Sequence, residues 1–254
     1  MFERLTERTA RFIVRFMILS PRDMQILRLV GRFGQMTTSQ LRTCCFASNR
    51  SPTASERVLK RLVDTKCLRR FETRTVGGWK GGSGQYVYQL GSKGWTALRR
   101  EGKYWPYRAV DMHRLAVAAT YVQAVQASHD GLLEVDGYTC EPDTWQTIGG
   151  AEIRPDLALE LKLDTHRLYL WLEVDMGTER PKQVTEKLTR YWHAYKHWNT
   201  EHAGQPFPLV VFVAVDEERK RELEKLTTQS ANAAKLFRVV LPEELKNLWI
   251  SPAF

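Results

Sequence analysis

The sequence predicts a two-domain α/β (α+β) chain: a winged helix-turn-helix over residues 1–105, then an α-β-β-β-α-β core on a mixed sheet over 106–254. Three observations predict it. The length, 254 residues, suits two domains of ordinary size. The charge is lopsided, with 22 Lys+Arg against 7 Asp+Glu from Met1 to Arg108, and 16 against 22 from Ala109 to Phe254. The pattern also changes, from capped helices ending in a glycine-rich turn to strands alternating with helices. With 43% hydrophobic and 26% charged residues, the composition excludes a disordered chain and predicts a soluble globular one.

In the basic half, Phe2 to Leu19 has helical apolar spacing, and Arg4, Arg8, Arg11 and Arg15 share one face. Three uses fit that row: a solvated flank, phosphate contact, or an anionic membrane surface. Its apolar stretch Phe12–Leu19 is broken by Arg15 and lacks a small-residue cleavage site, so no membrane span or signal peptide is predicted and the cytoplasm is the expected location. Ser20-Pro21 caps a helix with Ile26, Leu27, Val30 and Phe33 as its stripe and Gly34 as its stop. Thr37-Thr38 caps a second, Ser39 to Phe46, and Ser51-Pro52 opens a third with Val58, Leu59, Leu62 and Val63 inward. Strands at Leu68–Val76 and Gln85–Leu90 flank the glycine-rich tip 77–84, as in a β-hairpin wing. A short helix over Gly91–Gly102 closes the unit, and Lys103-Tyr104-Trp105-Pro106-Tyr107 marks the boundary, its rings suited to interdomain packing or to stacking on bases.

The balance of the first half points to a polyanion. Candidate DNA contacts are Ser51, Thr53, Ser55, Arg57, Lys60 and Arg61 on the third helix, and Arg74 and Lys80 on the wing. The competing use is a winged helix acting only between proteins.

The second half reads as a helix from His113 to Ser128 and strands at 138–141, 154–161 and 167–175. A helix at 181–198, a strand at 208–215, a helix at 217–228 and a strand at 237–241 follow. The run Leu209–Val213 is apolar throughout, as in a strand covered on both faces. Asp156 opens one strand; Glu173 and Asp175 lie two apart on the next and so share a face. Three converging carboxylates need a cation, and oxygen-only ligands suit Mg²⁺ or Mn²⁺. Such an ion serves phosphodiester cleavage. The competing reading gives these acids to salt bridges, with Arg154 and Arg180 at hand. Four cysteines without a C-x-x-C pair predict packing thiols, and His193 and His197, four apart, predict a surface pair. Tyr191 and Tyr195 are expected in the core.

The set Arg154-Pro155-Asp156, Glu173-Val174-Asp175-Met176-Gly177-Thr178 and Lys187-Leu188-x-Arg190-Tyr191 resembles the replication-relaxation family, which includes MobC-type relaxases of mobilisable plasmids. The second half resembles restriction-endonuclease-like PD-(D/E)xK nucleases. The resemblance implies a relaxase or endonuclease that nicks plasmid or mobile-element origin DNA, with Asp156 and Glu173 as pattern acids. Asp175 falls where the pattern has lysine; Lys187 on the next helix is the substitute, and Lys182 a weaker one. His113 matches a family histidine. Implied partners are double-stranded DNA at an origin, an accessory mobilisation protein and a second copy of the chain. The alternative is a non-catalytic regulator of plasmid replication or transcription with a degenerate nuclease-like domain.

Overall fold

The computed structural model describes residues 19–47, 51–72, 85–229 and 235–250. In α1 (Pro21–Phe33) the Ser20 hydroxyl accepts from the Asp23 N–H while the Asp23 carboxylate accepts from the Ser20 N–H. Ile26, Leu27, Val30 and Phe33 are buried as their spacing requires. Gly34 stops the helix at φ +78°, where a Cβ would lie 2.9 Å from the Tyr107 hydroxyl. The residues expected to link the first two helices form a strand, β1 (Gln35–Thr37), too short for a two-residue period to show. Thr37 caps α2 (Thr38–Cys45), and α3 (Pro52–Asp64), β2 (Leu68–Arg70) and β3 (Val87–Leu90) follow. The three strands pair antiparallel in the order β1-β3-β2. The expected wing tip, with Arg74 and Lys80, and the arginine row of the first segment lie outside the described residues. A short helix, α4 (Ser92–Ala97), completes this half.

The second half begins with α5 (Met112–His129), β4 (Glu134–Cys140) and a hairpin of β5 (Gln146–Ile148) and β6 (Ala151–Ile153). Then come β7 (Leu157–Lys162), β8 (Arg167–Asp175), α6 (Pro181–Glu201), β9 (Leu209–Ala214), α7 (Glu217–Thr228), β10 (Phe237–Val240) and α8 (Leu245–Ile250). Five strands form a mixed sheet, β10-β9-β8-β7-β4, with β8, β9 and β10 parallel and β7 and β4 antiparallel to their neighbours. The strand expected from Arg154 starts at Leu157 instead, since Pro155 has no N–H to give a ladder.

Alternation along β8 sorts the layers. Leu170, Leu172 and Val174 face a core shared with α5 and the first half; Trp171 faces a second core with Val184, Leu188 and Tyr191 of α6. The first core is continuous across the boundary expected at residues 105–106, and Phe33 of α1 stacks on Tyr138 of β4 beside Tyr121 of α5. Among the described residues, no helix is long and apolar enough to cross a membrane.

Buried glutamines also join the halves. Gln35 and Gln89 are cross-strand partners on β1 and β3. The Gln89 amide donates to Tyr107 O at 3.0 Å and accepts from Tyr107 N at 2.7 Å. Gln35 donates to Ala109 O and accepts from Asp111 N, both at 2.9 Å, and Gln40 donates to Leu115 O at 2.8 Å. Side-chain amides thus bond a connecting segment that no described strand pairs with. Gln89→Leu removes two bonds and strands both Tyr107 groups, with an expected loss of about 2–4 kcal/mol in urea unfolding; an unchanged midpoint would contradict this.

Candidate active site

The register of β7 and β8, with Leu157 opposite Leu172, brings Asp156 opposite Glu173. Asp156 is anchored by its backbone N–H on Leu172 O at 3.0 Å and by its Oδ2, which accepts from Val174 N at 2.7 Å. His113, in the first turn of α5, places Nε2 3.3 Å from the same Oδ2. That hydrogen bond raises the imidazole pKa against the opposing effect of burial.

Glu173 is 3% exposed. Lys187 and Tyr191 are one turn apart on α6 and both reach it: Lys187 Nζ is 2.8 Å from Oε2, and the Tyr191 hydroxyl donates to Oε1 at 2.5 Å. Lys187 also donates to Glu179 Oε1 at 2.9 Å, while Glu179 Oε2 is buried without a hydrogen-bond partner. Burial pushes the Glu173 carboxyl up to about 7, with Lys187 opposing and Asp156 adding to the rise. Burial acts to lower the Lys187 pKa, but Glu173 and Glu179 outweigh it and keep the ammonium charged. Burial and Glu173 hold the Tyr191 hydroxyl well above its ordinary pKa. His113, Asp156, Glu173, Glu179, Lys187 and Arg190 border one open cleft of about 770 Å³.

Asp175 shares the Glu173 face of β8, as the period requires, and borders the same cleft, but its carboxylate is engaged elsewhere. Arg219 of α7 grips it from two nitrogens, Nε to Oδ1 at 2.9 Å and Nη2 to Oδ2 at 2.8 Å, and Gly177 N donates to Oδ1 at 2.6 Å. The three carboxylates border one cleft as expected, but Asp175 is taken up by Arg219, and among the described residues no three His, Cys, Asp or Glu side chains are grouped to hold a metal. The donors that remain, Asp156 and Glu173 with the unpartnered Glu179 oxygen nearby, are hard oxygens. Mg²⁺ commonly binds through one or two carboxylates, with waters and phosphate oxygens completing its shell, and this set fits that pattern.

In the first half, Ser51, Thr53, Arg57 and Lys60 are exposed on α3, Lys60 pairing with Asp64 at 2.6 Å. Two expected contacts are turned to other work. Ser55 is 1% exposed, because it lies on the core face one and two turns before Leu59 and Leu62. Arg61 reaches Asp23 Oδ1 at 2.6 Å and ties α3 to the cap of α1. Arg42 of α2 and Arg70 of β2, not anticipated, line a groove with Arg57 and Lys60.

The histidine pair fastens the β5–β6 hairpin to α6, with His193 Nε2 2.8 Å from Gly149 O and His197 so close that a Cβ on Gly149 would lie 2.4 Å from its ring. Tyr191 is buried as expected, whereas Tyr195 is 46% exposed. Cys45, Cys67 and Cys140 are buried free thiols, and burial pushes those of Cys44, Cys45 and Cys140 up to about 12. Tyr191, Glu179 and Arg219 were missed as site residues. Only Tyr191 carried a sequence signal, its i+4 spacing from Lys187.

Fold and site define a class: a basic helical unit fused to a mixed-sheet domain whose central strand delivers buried carboxylates to a lysine-flanked cleft. The chain belongs to the replication-relaxation family, whose model matches residues 27–210, from within α1 to the second residue of β9. No curated protein matches the chain. Among solved structures it is similar to the restriction endonuclease FokI at 14% identity and a TM-score of 0.31, over 89% of this chain and 42% of that one. The chain thus spans less than half the length of that neighbour.

Two measurements probe this geometry. Asp175→Asn removes one of the two carboxylates that offset buried Arg219, Glu222 being the other, so a stability loss of about 1–3 kcal/mol is expected, with Mn²⁺ affinity unchanged by calorimetry; a large loss of affinity with unaltered stability would restore Asp175 as a ligand. Folding raises the Glu173 pKa from 4.5 to about 7, so the stability it contributes is complete below 4.5 and lost as pH rises through about 7. The stability of wild type relative to Glu173→Gln is therefore expected to fall across that window, and a flat difference would refute the assignment.

Proposed function

We propose that this chain is a DNA-binding, metal-dependent endonuclease of the relaxase type. It nicks one strand of plasmid or mobile-element origin DNA to start mobilisation or replication. One observation carries the reading: Asp156 and Glu173 face each other across β7 and β8 at a cleft where Lys187 lies 2.8 Å from Glu173. Two acids and a lysine at one open cleft are what phosphodiester cleavage asks of a protein.

Asp156 and Glu173 would hold Mg²⁺ or Mn²⁺. When bound, such an ion supplies Lewis acidity toward a phosphoryl oxygen and a more acidic water. Tyr191 fixes Glu173 Oε1, and the Val174 N–H fixes Asp156 Oδ2, so neither carboxylate has to be reordered from a mobile state. Lys187 takes the place of the lysine missing at 175 and presents its ammonium to a non-bridging phosphate oxygen. His113 borders the cleft with Nε2 3.3 Å from Asp156 Oδ2, and that carboxylate favours its protonated form. The first half, read as a winged helix, would grip duplex DNA through Ser51, Thr53, Arg57 and Lys60, with Arg74 and Lys80 on flanking phosphates; Arg42 and Arg70 extend that surface.

A second reading, a non-catalytic DNA-binding regulator with a degenerate nuclease-like domain, is favoured by one feature: Asp175 stands where the nuclease pattern has lysine, and Arg219 engages both of its oxygens. Supercoiled plasmid carrying the cognate origin separates the two. With Mg²⁺ or Mn²⁺ the wild type is expected to convert it to the open-circular form, and Asp156→Asn and Glu173→Gln to slow this by at least about 100-fold. Nicking that survives both substitutions would exclude the cleft as its source, and duplex binding without nicking would favour the regulator.

A further inference from the structure

The aromatic run at the boundary between the halves is split by the fold. Tyr104 packs inward, its hydroxyl donating to Leu90 O at 2.9 Å and its ring lying beside Trp95. Trp105, the next residue, is 69% exposed with Lys103 Nζ 4.5 Å from its ring centre. Tyr107 again faces outward, with Arg114 Cζ 5.1 Å from its ring. Trp145 is 45% exposed beside two cleft residues: Arg154, whose Cζ lies 4.3 Å from the ring, and Glu141, which accepts from its Nε1. Three outward rings each carry a cation, Arg114 also pairing with Asp111 at 3.3 Å and Arg154 with Glu152 at 2.8 Å, and the segment bearing two of the rings runs on into His113 at the cleft. Glutamine side chains bond the backbone of that segment at 107, 109 and 111.

Tryptophan and tyrosine rings are enriched where a protein surface meets a partner. A ring paired with a cation offers what one nucleotide of a single strand needs, a face for the base and a charge for its phosphate. Base faces in duplex DNA are covered by their neighbours, so duplex cannot use the rings. We propose that Trp105 and Trp145, with Lys103 and Arg154, form a track that binds single-stranded DNA and leads it past Tyr107 into the carboxylate cleft. The proposal deepens the endonuclease reading and rests on it for the strand's destination: the substrate at the cleft is an unpaired strand, while the first half holds duplex.

The test is anisotropy of the full chain with a labelled thymidine oligonucleotide of about 20 nucleotides and with a duplex of equal length, in EDTA so that nothing is cut. Trp105→Ala and Trp145→Ala are each expected to weaken oligonucleotide binding about tenfold, the corresponding Phe variants to keep most of it, and all four to bind duplex as wild type does. Unchanged oligonucleotide affinity in the Ala variants, equal weakening toward duplex, or no oligonucleotide binding by wild type would each overturn the track. The two readings fail separately. If the cleft does not cut, wild type leaves origin plasmid intact while the Ala variants still lose oligonucleotide affinity; if the track is wrong, they bind as wild type does whether or not the plasmid is nicked.

Discussion

A carboxylate buried in the second core is the constraint around which this domain is arranged. Glu173 sits on the central strand with almost no water contact, and an isolated charge there would cost several kcal/mol. Lys187 and Tyr191 offset that cost from one helix face, and the bonds they make fix where α6 lies against the sheet. Asp156, one strand over, is positioned by backbone bonds to β8 itself. On the proposed reading, the bonds that satisfy Glu173 and Asp156 also fix the two carboxylates that would hold a divalent cation, with the Lys187 ammonium beside them.

The neighbouring acid shows how little sequence spacing decides alone. Asp175 is on the correct face, two residues beyond Glu173, yet α7 enters beyond the end of β9 with Arg219 in its first turn and captures it. The result resembles a strut more than a ligand set, tying the end of β8 to α7. The first half is bound as firmly, through a continuous apolar core and amide bonds to the segment that leads into α5. DNA held by α3 and DNA in the cleft would thus be held by parts of one body.

Elements with a long period or a clear cap were legible. The bounds of β8 and α7 and the starts of α1, α3 and α6 follow from caps, prolines and apolar runs. What escaped was short: β1, β5 and β6 have three residues each, and α8 has six, too few to show any period. In the site, Asp156, Glu173 and Lys187 stood out because strand parity and a helix border place them by local rules. Arg219 lies 44 residues from its partner, and nothing local links the two. The Ser55 hydroxyl suggests a surface position, whereas its helical phase with Leu59 and Leu62 puts it inside.

The central claim is that Asp156 and Glu173, without Asp175, make the cation site. An anomalous-scattering map from crystals of the full chain soaked in Mn²⁺ tests it most directly. The account predicts one peak within coordination distance of both carboxylates, with Arg219 still gripping Asp175. A peak bound to Asp175, or none at saturating Mn²⁺, would contradict it.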